Sequence, residues 1–360
     1  MPLDADLASW LKLSLTPGLS DQALRRLLSA FGDPQRVVAA SRSDLARLVP
    51  DGVAAAIKHT DVAEAISAVA IWLQDSANCL LTLADPRYPQ QLLQIPDPPP
   101  LLYVKGRAEL LSRPALAVVG SRNASAQGAA NAEAFARTLS EAGLTVVSGL
   151  ALGVDAAAHR GGLAGPASSV AVLGNGADIV YPARNRALAH DLAARGALIS
   201  EFPLGTRPLA GNFPRRNRLI SGLALGCLVV EAAADSGSLV TARLAAEQGR
   251  EVFAIPGSIH SPLSRGCHAL IKQGAKLVES ARDILEELRL PVRSQPAPAD
   301  PADARARELL DALGHDPCDV DTLAARSGLA PAELAALLTQ LELDGHIAAL
   351  PGGLVQRVRR

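Results

Sequence analysis

The chain has 360 residues, 49% of them hydrophobic, and a formal net charge of −1. That length and apolar content give room for two or three domains with a sizeable core, and near-neutrality excludes a surface that coats nucleic acid over its whole extent. Any such binding has to be local. Cys79, Cys227, Cys267 and Cys318 form no C-x-x-C pair, a pattern of neither a disulfide framework nor a zinc cluster, which predicts a reducing cytoplasm. The start of the chain is acidic (Asp4, Asp6) where a signal peptide would be basic, and no apolar run reaches the length of a membrane span, so a soluble protein is expected.

From Asp4 to about Leu81 the pattern is short amphipathic helices, with start signals at Ser20-Asp21, Asp33-Pro34 and Ser41 or Ser43. This predicts a small helical domain over residues 1–85. Turns at Pro17-Gly18 and Asp51-Gly52 hint at a SAM-like or helix-hairpin-helix module; without paired Gly-x-Gly hairpins, a packing or interaction domain is the plainer reading. The proline-rich stretch 95–100 cannot continue a helix or central strand and predicts a seam or extended edge segment.

Residues 86–290 change texture. Apolar runs at 116–119, 144–147, 170–173, 197–199, 227–230 and 252–255 alternate with alanine-rich helical stretches, which predicts a doubly wound α/β domain with a parallel sheet covered on both faces. Residues 291–302 are too rich in proline to pack and read as a linker. Residues 303–360 then read as three helices (303–313, 319–327, 331–343) and a two-stranded wing around 351–353, the order of a winged-helix domain.

In an open parallel sheet, ligands bind beyond the carboxyl ends of the strands. The loops there are Gly120-Ser121-Arg122 with Gly128 opening a helix, Ser148-Gly149-Leu150-Ala151, Gly174-Asn175-Gly176 ahead of Tyr181, and Ser236-Gly237-Ser238 with Thr241. Between the last two lies a stretch, 202–230, with four arginines (Arg207, Arg215, Arg216, Arg218) and no Asp or Glu. Small residues at helix starts free backbone N–H groups for an anion, and arginines add forked donors. Five successive loops are thus expected to offer anion donors. Tight βα turns alone would explain any single glycine loop; arginines after three of the strands are harder to explain by packing. Tyr181 and Phe213 fall among these loops although aromatic content is only 3%. Phe213 either stacks a base or caps the core beneath the loop.

A nicotinamide dinucleotide is disfavoured, because the first turn lacks G-x-G-x-x-G and the second strand ends in Ser148 where an acid would hold the ribose. No cofactor is expected. Asp155 and His159, four apart on one helix, could act as a base and its orienter, but that spacing more commonly marks a helix-face pair or a buried polar contact. Cys267 and His268 are sequence neighbours that would point apart on a helix, so a thiolate dyad is not expected. Glu231, a lone acid at a strand end, is expected to pair with Arg216 or Arg218 and hold the arginine loop.

At these residues the chain resembles the bacterial DNA-processing protein A family, DprA or Smf. The motifs are Gly120-Ser121-Arg122, Ser148-Gly149-Leu150-Ala151 with Gly153, Asp155 and His159, Tyr181-Pro182, Phe213-Pro214-x-Arg216-Asn217-Arg218, Ser236-Gly237-Ser238 with Thr241, and Pro256-Gly257. The resemblance implies a Rossmann-like core that binds single-stranded DNA, a homodimer made through that core, and delivery of the strand to the RecA recombinase during natural transformation, without catalysis. It implies a DNA pocket using Gly120, Ser121, Arg122, Tyr181, Arg184, Phe213, Arg216, Asn217, Arg218, Ser236, Gly237 and Ser238. Three phosphate-neutralising arginines, Arg122, Arg216 and Arg218, would give a log-log salt slope of about −2. His268 stands where the family usually has asparagine, which bears on the hydrogen bonding of that turn.

Two further expectations come from the residues. The third winged-domain helix, 331–343, has two acids and no base, so it suits a protein contact better than a major groove. The alternative function, a nucleotide-processing enzyme related to the lonely-guy phosphoribohydrolases, requires a P-G-G-x-G-T-x-x-E signature, and residues 236–242 lack its glycine run and trailing acid.

Overall fold

The computed structural model describes residues 3–290, 304–350 and 352–358. Six helices open it: α1 (Ala5–Ser14), α2 (Asp21–Phe31), α3 (Pro34–Ala39), α4 (Arg42–Leu45), α5 (Asp51–His59) and α6 (Ala63–Trp72). The start signals act through their side chains. Ser20, Asp33 and Ser41 accept the N–H of Ala23, Arg36 and Asp44, satisfying donors that a first turn leaves free. Leu24, Leu27, Val37, Leu45 and Ile57 close the core of this bundle.

The chain then enters the sheet earlier than its pattern suggests. β1 (Asn78–Thr82) precedes α7 (Gln90–Leu93) and β2 (Leu101–Gly106); β1 pairs antiparallel with β2, which pairs antiparallel with β6 (Ala197–Ser200). A boundary at residue 85 therefore falls between two strands of one sheet. The stretch 95–100 also differs from a free seam, because Pro98, Pro99 and Pro100 are buried. The Tyr88 hydroxyl donates to the Pro99 carbonyl at 2.7 Å, while Arg25 of α2 donates to the Pro98 carbonyl at 2.9 Å and pairs with Asp97 at 2.9 Å. The prolines form a strap that ties the helical bundle to the core.

The α/β core continues as β3 (Ala115–Val119), α8 (Ala126–Glu141), β4 (Thr145–Ser148), α9 (Val154–Ala164), β5 (Ser169–Val172), α10 (Arg186–Arg195), β6, α11 (Asn212–Gly222), β7 (Gly226–Val229), α12 (Ser238–Glu247), β8 (Glu251–Ala254), α13 (Arg265–Lys272), β9 (Lys276–Leu277) and α14 (Ala281–Glu287). All six apolar runs are strands. The sheet order is β1-β2-β6-β5-β4-β3-β7-β8-β9, parallel from β6 through β9. One face packs Leu102, Ile199, Leu219 and Val229, the other Leu116, Val118, Phe135 and Phe253, so the domain is doubly wound and Rossmann-like. Strand order reverses at β3, which lies between β4 and β7, and the crevice opens there.

The last unit is a winged helix: α15 (Ala304–Leu313), β10 (Cys318–Asp319), α16 (Val320–Ser327), α17 (Pro331–Leu343), β11 (Ile347–Leu350) and β12 (Leu354–Arg357), with sheet order β10-β12-β11. Leu309, Leu323, Leu334, Leu341 and Val355 form its own core. β10, too short to show in an apolar pattern, makes the wing sheet three-stranded. The linker expected at 291–302 lies outside the described residues. Among the described residues, no helix is long and apolar enough to cross a membrane.

Candidate nucleic-acid interface

A cleft of about 730 Å³ occupies the crevice where the strand order reverses. Gly120, Ser121 and Arg122 from the β3 loop, Tyr181, Phe213, Arg216 and Asn217 from α11, and Ser236, Gly237 and Ser238 at the start of α12 line it. Arg184 and Arg218 do not. A side pocket of about 100 Å³ shares Arg122, Tyr181, Phe213 and Arg216 and reaches down to Gly149, Leu150 and Gly174.

An aromatic shelf separates the two spaces. The Phe213 and Tyr181 rings lie 5.7 Å apart at 32°, and the guanidinium carbons of Arg122 and Arg216 stand 5.7 and 6.0 Å from the Phe213 centroid. Gly174 makes this possible, since a Cβ there would sit 2.7 Å from the Phe213 ring. Phe213 is half-buried and Tyr181 exposed. Phe213 thus both rests on the core and borders the cleft, so the two roles left open by the sequence are not exclusive. Gly174 is a packing position for that ring, and the neighbouring Asn175 spends its amide on the carbonyls of Gly176 (2.9 Å) and Ile179 (2.6 Å). The loop after β5 is closed on itself.

Two other loops are also occupied from within, which corrects the expectation of five anion-binding loops. At the start of α8, Glu231 accepts the Ser125 N–H at 2.9 Å and the Ser125 hydroxyl at 2.5 Å, and Ser125 in turn accepts the Gly128 N–H at 2.9 Å. A Cβ on Gly128 would fall 2.2 Å from the Glu231 carboxyl carbon, so the glycine makes room for an internal anion. Glu231 therefore caps a helix and pairs with neither Arg216 nor Arg218. In the loop after β4, Asp155 accepts the N–H of Gly149 (3.0 Å) and Ala151 (3.3 Å), and His159 Nε2 accepts that of Leu150 (3.2 Å). No amide of that turn faces the cleft.

What remains open is narrower. Arg122 is exposed and has no carboxylate partner among the described residues. α11 and α12 begin without an N-cap side-chain bond, yet their first turns are largely satisfied from within: Asn212 donates to the Leu209 carbonyl at 3.0 Å, Pro214 has no N–H, the Ser238 N–H goes to the Ser236 hydroxyl at 3.3 Å, and Leu239 and Val240 donate to the carbonyls of Ser236 and Gly237. The Ser236 and Ser238 hydroxyls lie 2.7 Å apart. Asn217 accepts from Arg216 Nε at 3.2 Å through its oxygen, so its NH2 is the group left to donate. Arg184 is exposed just beyond Tyr181-Pro182, outside the cleft.

Of the arginines in the 202–230 stretch, Arg207 is exposed and does not line the cleft, whereas the other three are engaged. Arg216 is buried, donating to the Gly149 carbonyl at 2.8 Å and to the Val172 carbonyl. Burial lowers its pKa to about 10, with Arg122 pushing the same way and Asp155 opposing, so it stays charged at neutral pH. Arg218 points to the opposite side of α11, where Glu201 holds it at 2.6 Å, with Asp97 at 3.5 Å and Asp21 at 3.7 Å. Arg215 joins Glu201 and Asp21, each at 3.1 Å. Burial pushes the Glu201 carboxyl upward against the pull of Arg218 and Arg215. Counter-ions therefore come from outside the arginine stretch, and Glu201, the residue immediately before it, supplies the central one.

Asp155 and His159 are buried and do not bond each other; each holds backbone, the polar-contact reading of their spacing. Cys267 is buried, its thiol pKa pushed up to about 12 by burial, whereas the His268 imidazole sits at the surface. His268 Nε2 lies 3.0 Å from the Gly257 carbonyl, so the imidazole makes a hydrogen bond within that turn.

Sequence comparison fits this geometry. A family described as DNA recombination-mediator protein A matches residues 79–289. The chain belongs to this family. A DprA winged helix domain matches residues 293–353. Protein Smf of Escherichia coli (strain K12) is 48% identical over 299 residues, 80% of each chain, and the DNA processing protein DprA of Streptococcus pneumoniae is 48% identical over 206 residues, 57% of this chain and 73% of that one. The X-ray structure of the Streptococcus pneumoniae DprA matches with a TM-score of 0.69 at 38% identity, covering 80% of this chain and 99% of that one. A Helicobacter pylori DNA processing protein A, described for its single-stranded DNA binding mode, matches with a TM-score of 0.53 at 29% identity over 58% of this chain and 95% of that one. The family match begins at residue 79, one residue into β1, and so includes the antiparallel pair that the sequence pattern hid.

Proposed function

We propose that this chain binds single-stranded DNA in the cleft at the strand-order reversal and passes the strand to a RecA-type recombinase, acting as a binder and not as an enzyme. The observation that carries the reading is the pairing of an exposed arginine, Arg122, with the Tyr181–Phe213 shelf in one cleft. A single strand needs this combination: phosphate contacts for affinity and ring faces on which bases of any sequence can stack, each worth about 1–3 kcal/mol. The recombination-mediator family and the strand-binding Helicobacter pylori relative support it. In this reading Gly120, Ser121, Asn217, Ser236, Gly237 and Ser238 line the strand, Arg184 extends its path beyond Tyr181, and Arg216 and Arg218 hold α11 in place. One free arginine in the cleft gives a salt slope nearer −0.7 per subunit than the roughly −2 of three.

The remaining parts are proposed on the same footing: a cytoplasmic homodimer formed through the core, and a winged domain that contacts protein. α17 supports the latter, because its Glu333 pairs with Arg305 of α15 and no basic residue lies along it. The test is fluorescence anisotropy of labelled oligo-dT and the matching duplex across a salt series, for wild type, Arg122→Ala and Phe213→Ala. Preference for the single strand, weakened in both variants, is the expected result. Equal binding of duplex and single strand, or unaffected variants, would overturn the reading.

A further inference from the structure

The turn Gly149-Leu150-Ala151 forms the floor of the side pocket, and side chains take up its whole backbone. Its three N–H groups go to Asp155 and His159. Its carbonyls go to Arg216, at 2.8 Å from Gly149, and to the Asn185 amide, at 2.9 Å from Leu150 and 3.1 Å from Ala151. Four side chains drawn from α9, α11 and the turn before α10 thus fix three consecutive peptide groups. Leu150 needs such support, for it holds a left-handed φ of 58° with its side chain buried, a conformation that costs a non-glycine residue of order 1 kcal/mol or more. The imidazole is itself oriented. With Nε2 accepting from Leu150, Nδ1 carries the proton toward the Ser169 hydroxyl at 2.7 Å, and that hydroxyl donates to the Val146 carbonyl at 2.8 Å.

The consequence reaches the shelf. Arg216 is anchored to the Gly149 carbonyl, and Phe213 lies three residues earlier on α11, on the same face of the helix and within 6.0 Å of that guanidinium. We propose that Asp155, His159 and Asn185 are positioning residues for the cleft: by clamping the Gly149–Ala151 turn they aim its carbonyl at Arg216 and set the Tyr181–Phe213 shelf before a strand arrives. This rests on the single-strand reading above. None of the three donates to a phosphate, so their loss weakens binding without removing a charge contact.

The experiment measures oligo-dT affinity across salt, together with amide hydrogen exchange of residues 149–151, for Asn185→Ala, Asp155→Ala, Asp155→Asn and Arg122→Ala. The clamp predicts a fivefold or greater affinity loss in Asn185→Ala at an unchanged salt slope, with faster exchange at those amides. It also predicts recovery toward wild type in Asp155→Asn, which keeps an acceptor oxygen of the same shape, relative to Asp155→Ala. Asn185, at the edge of the turn, is the variant least exposed to a folding defect. Wild-type affinity in folded Asn185→Ala, or a changed slope, overturns the clamp while Arg122→Ala still weakens binding. If Arg122→Ala has no effect either, the single-strand reading itself fails.

Discussion

The two sides of α11 carry the same residue type to opposite ends. Toward the cleft, Arg122 stands over the Phe213 ring of α11 with no ion-pair partner among the described residues, and Arg216 is spent on carbonyls; toward the helical bundle, Arg215 and Arg218 meet Glu201, Asp21 and Asp97. Only the first side leaves a guanidinium for a ligand. Arginine content along a segment therefore says little about binding until the carboxylates that fold against it are known. The second side explains how the amino-terminal bundle is held: Asp21 and Arg25 of α2 reach the core through the same cluster as the proline strap.

Variants can break this contrast. A large effect should come from Arg218→Ala, which removes the nearer of the two arginines on the buried Glu201 carboxylate and leaves only half-exposed Arg215; loss of about 3 kcal/mol in urea unfolding is expected, with much of it restored when Glu201→Gln is added. Oligo-dT affinity of the folded variant should stay within about twofold of wild type, since no phosphate contact is lost in this reading. Next comes His159, whose pKa burial, aided by Arg216 and Arg160, pushes down to about 3 from an ordinary 6.5. Between those values the unfolded chain binds a proton that the folded chain does not, so stability falls as pH drops from 6.5 toward 3, by up to about 1.4 kcal/mol per pH unit. Wild type should lose stability more steeply than His159→Gln over that range; parallel curves would show that His159 takes no part in acid unfolding.

Arg122→Ala should lower single-strand affinity about tenfold at low salt and flatten the salt slope by about 0.7, with its unfolding midpoint unmoved. Arg215→Ala is the mildest. Its guanidinium is half-exposed and Arg218 stays on Glu201, so the loss should be no more than about 1 kcal/mol, and affinity should not change. An affinity loss in Arg215→Ala equal to that of Arg122→Ala would erase the distinction between the two sides of α11.

The six apolar strands, the capped helices of the bundle and the winged-helix order were legible because each follows from local periodicity and caps. β1 and β2 were not, since their residues, 78–82 and 101–106, flank prolines and belong to a sheet edge formed by pairing with distant β6. The cleft residues were legible as loops after strands, but which loops were free was not. Gly120, Gly149 and Gly174 look alike in sequence, yet Glu231 lies 106 residues from the Ser125 it caps, and Arg216 lies 67 residues from the carbonyl it holds.

The sequence by itself determined the alternation of strands and helices, the small residues after the strands and the motifs shared with the family, because these depend on neighbours a few positions apart. Tertiary structure alone decided which donors stay open. Asp155, His159 and Asn185 close one turn, Glu231 closes another, and Glu201 with Asp21 neutralises two arginines, because hydrogen bonds and ion pairs are set by distance in space, and burial decides which polar groups must find a partner within the protein.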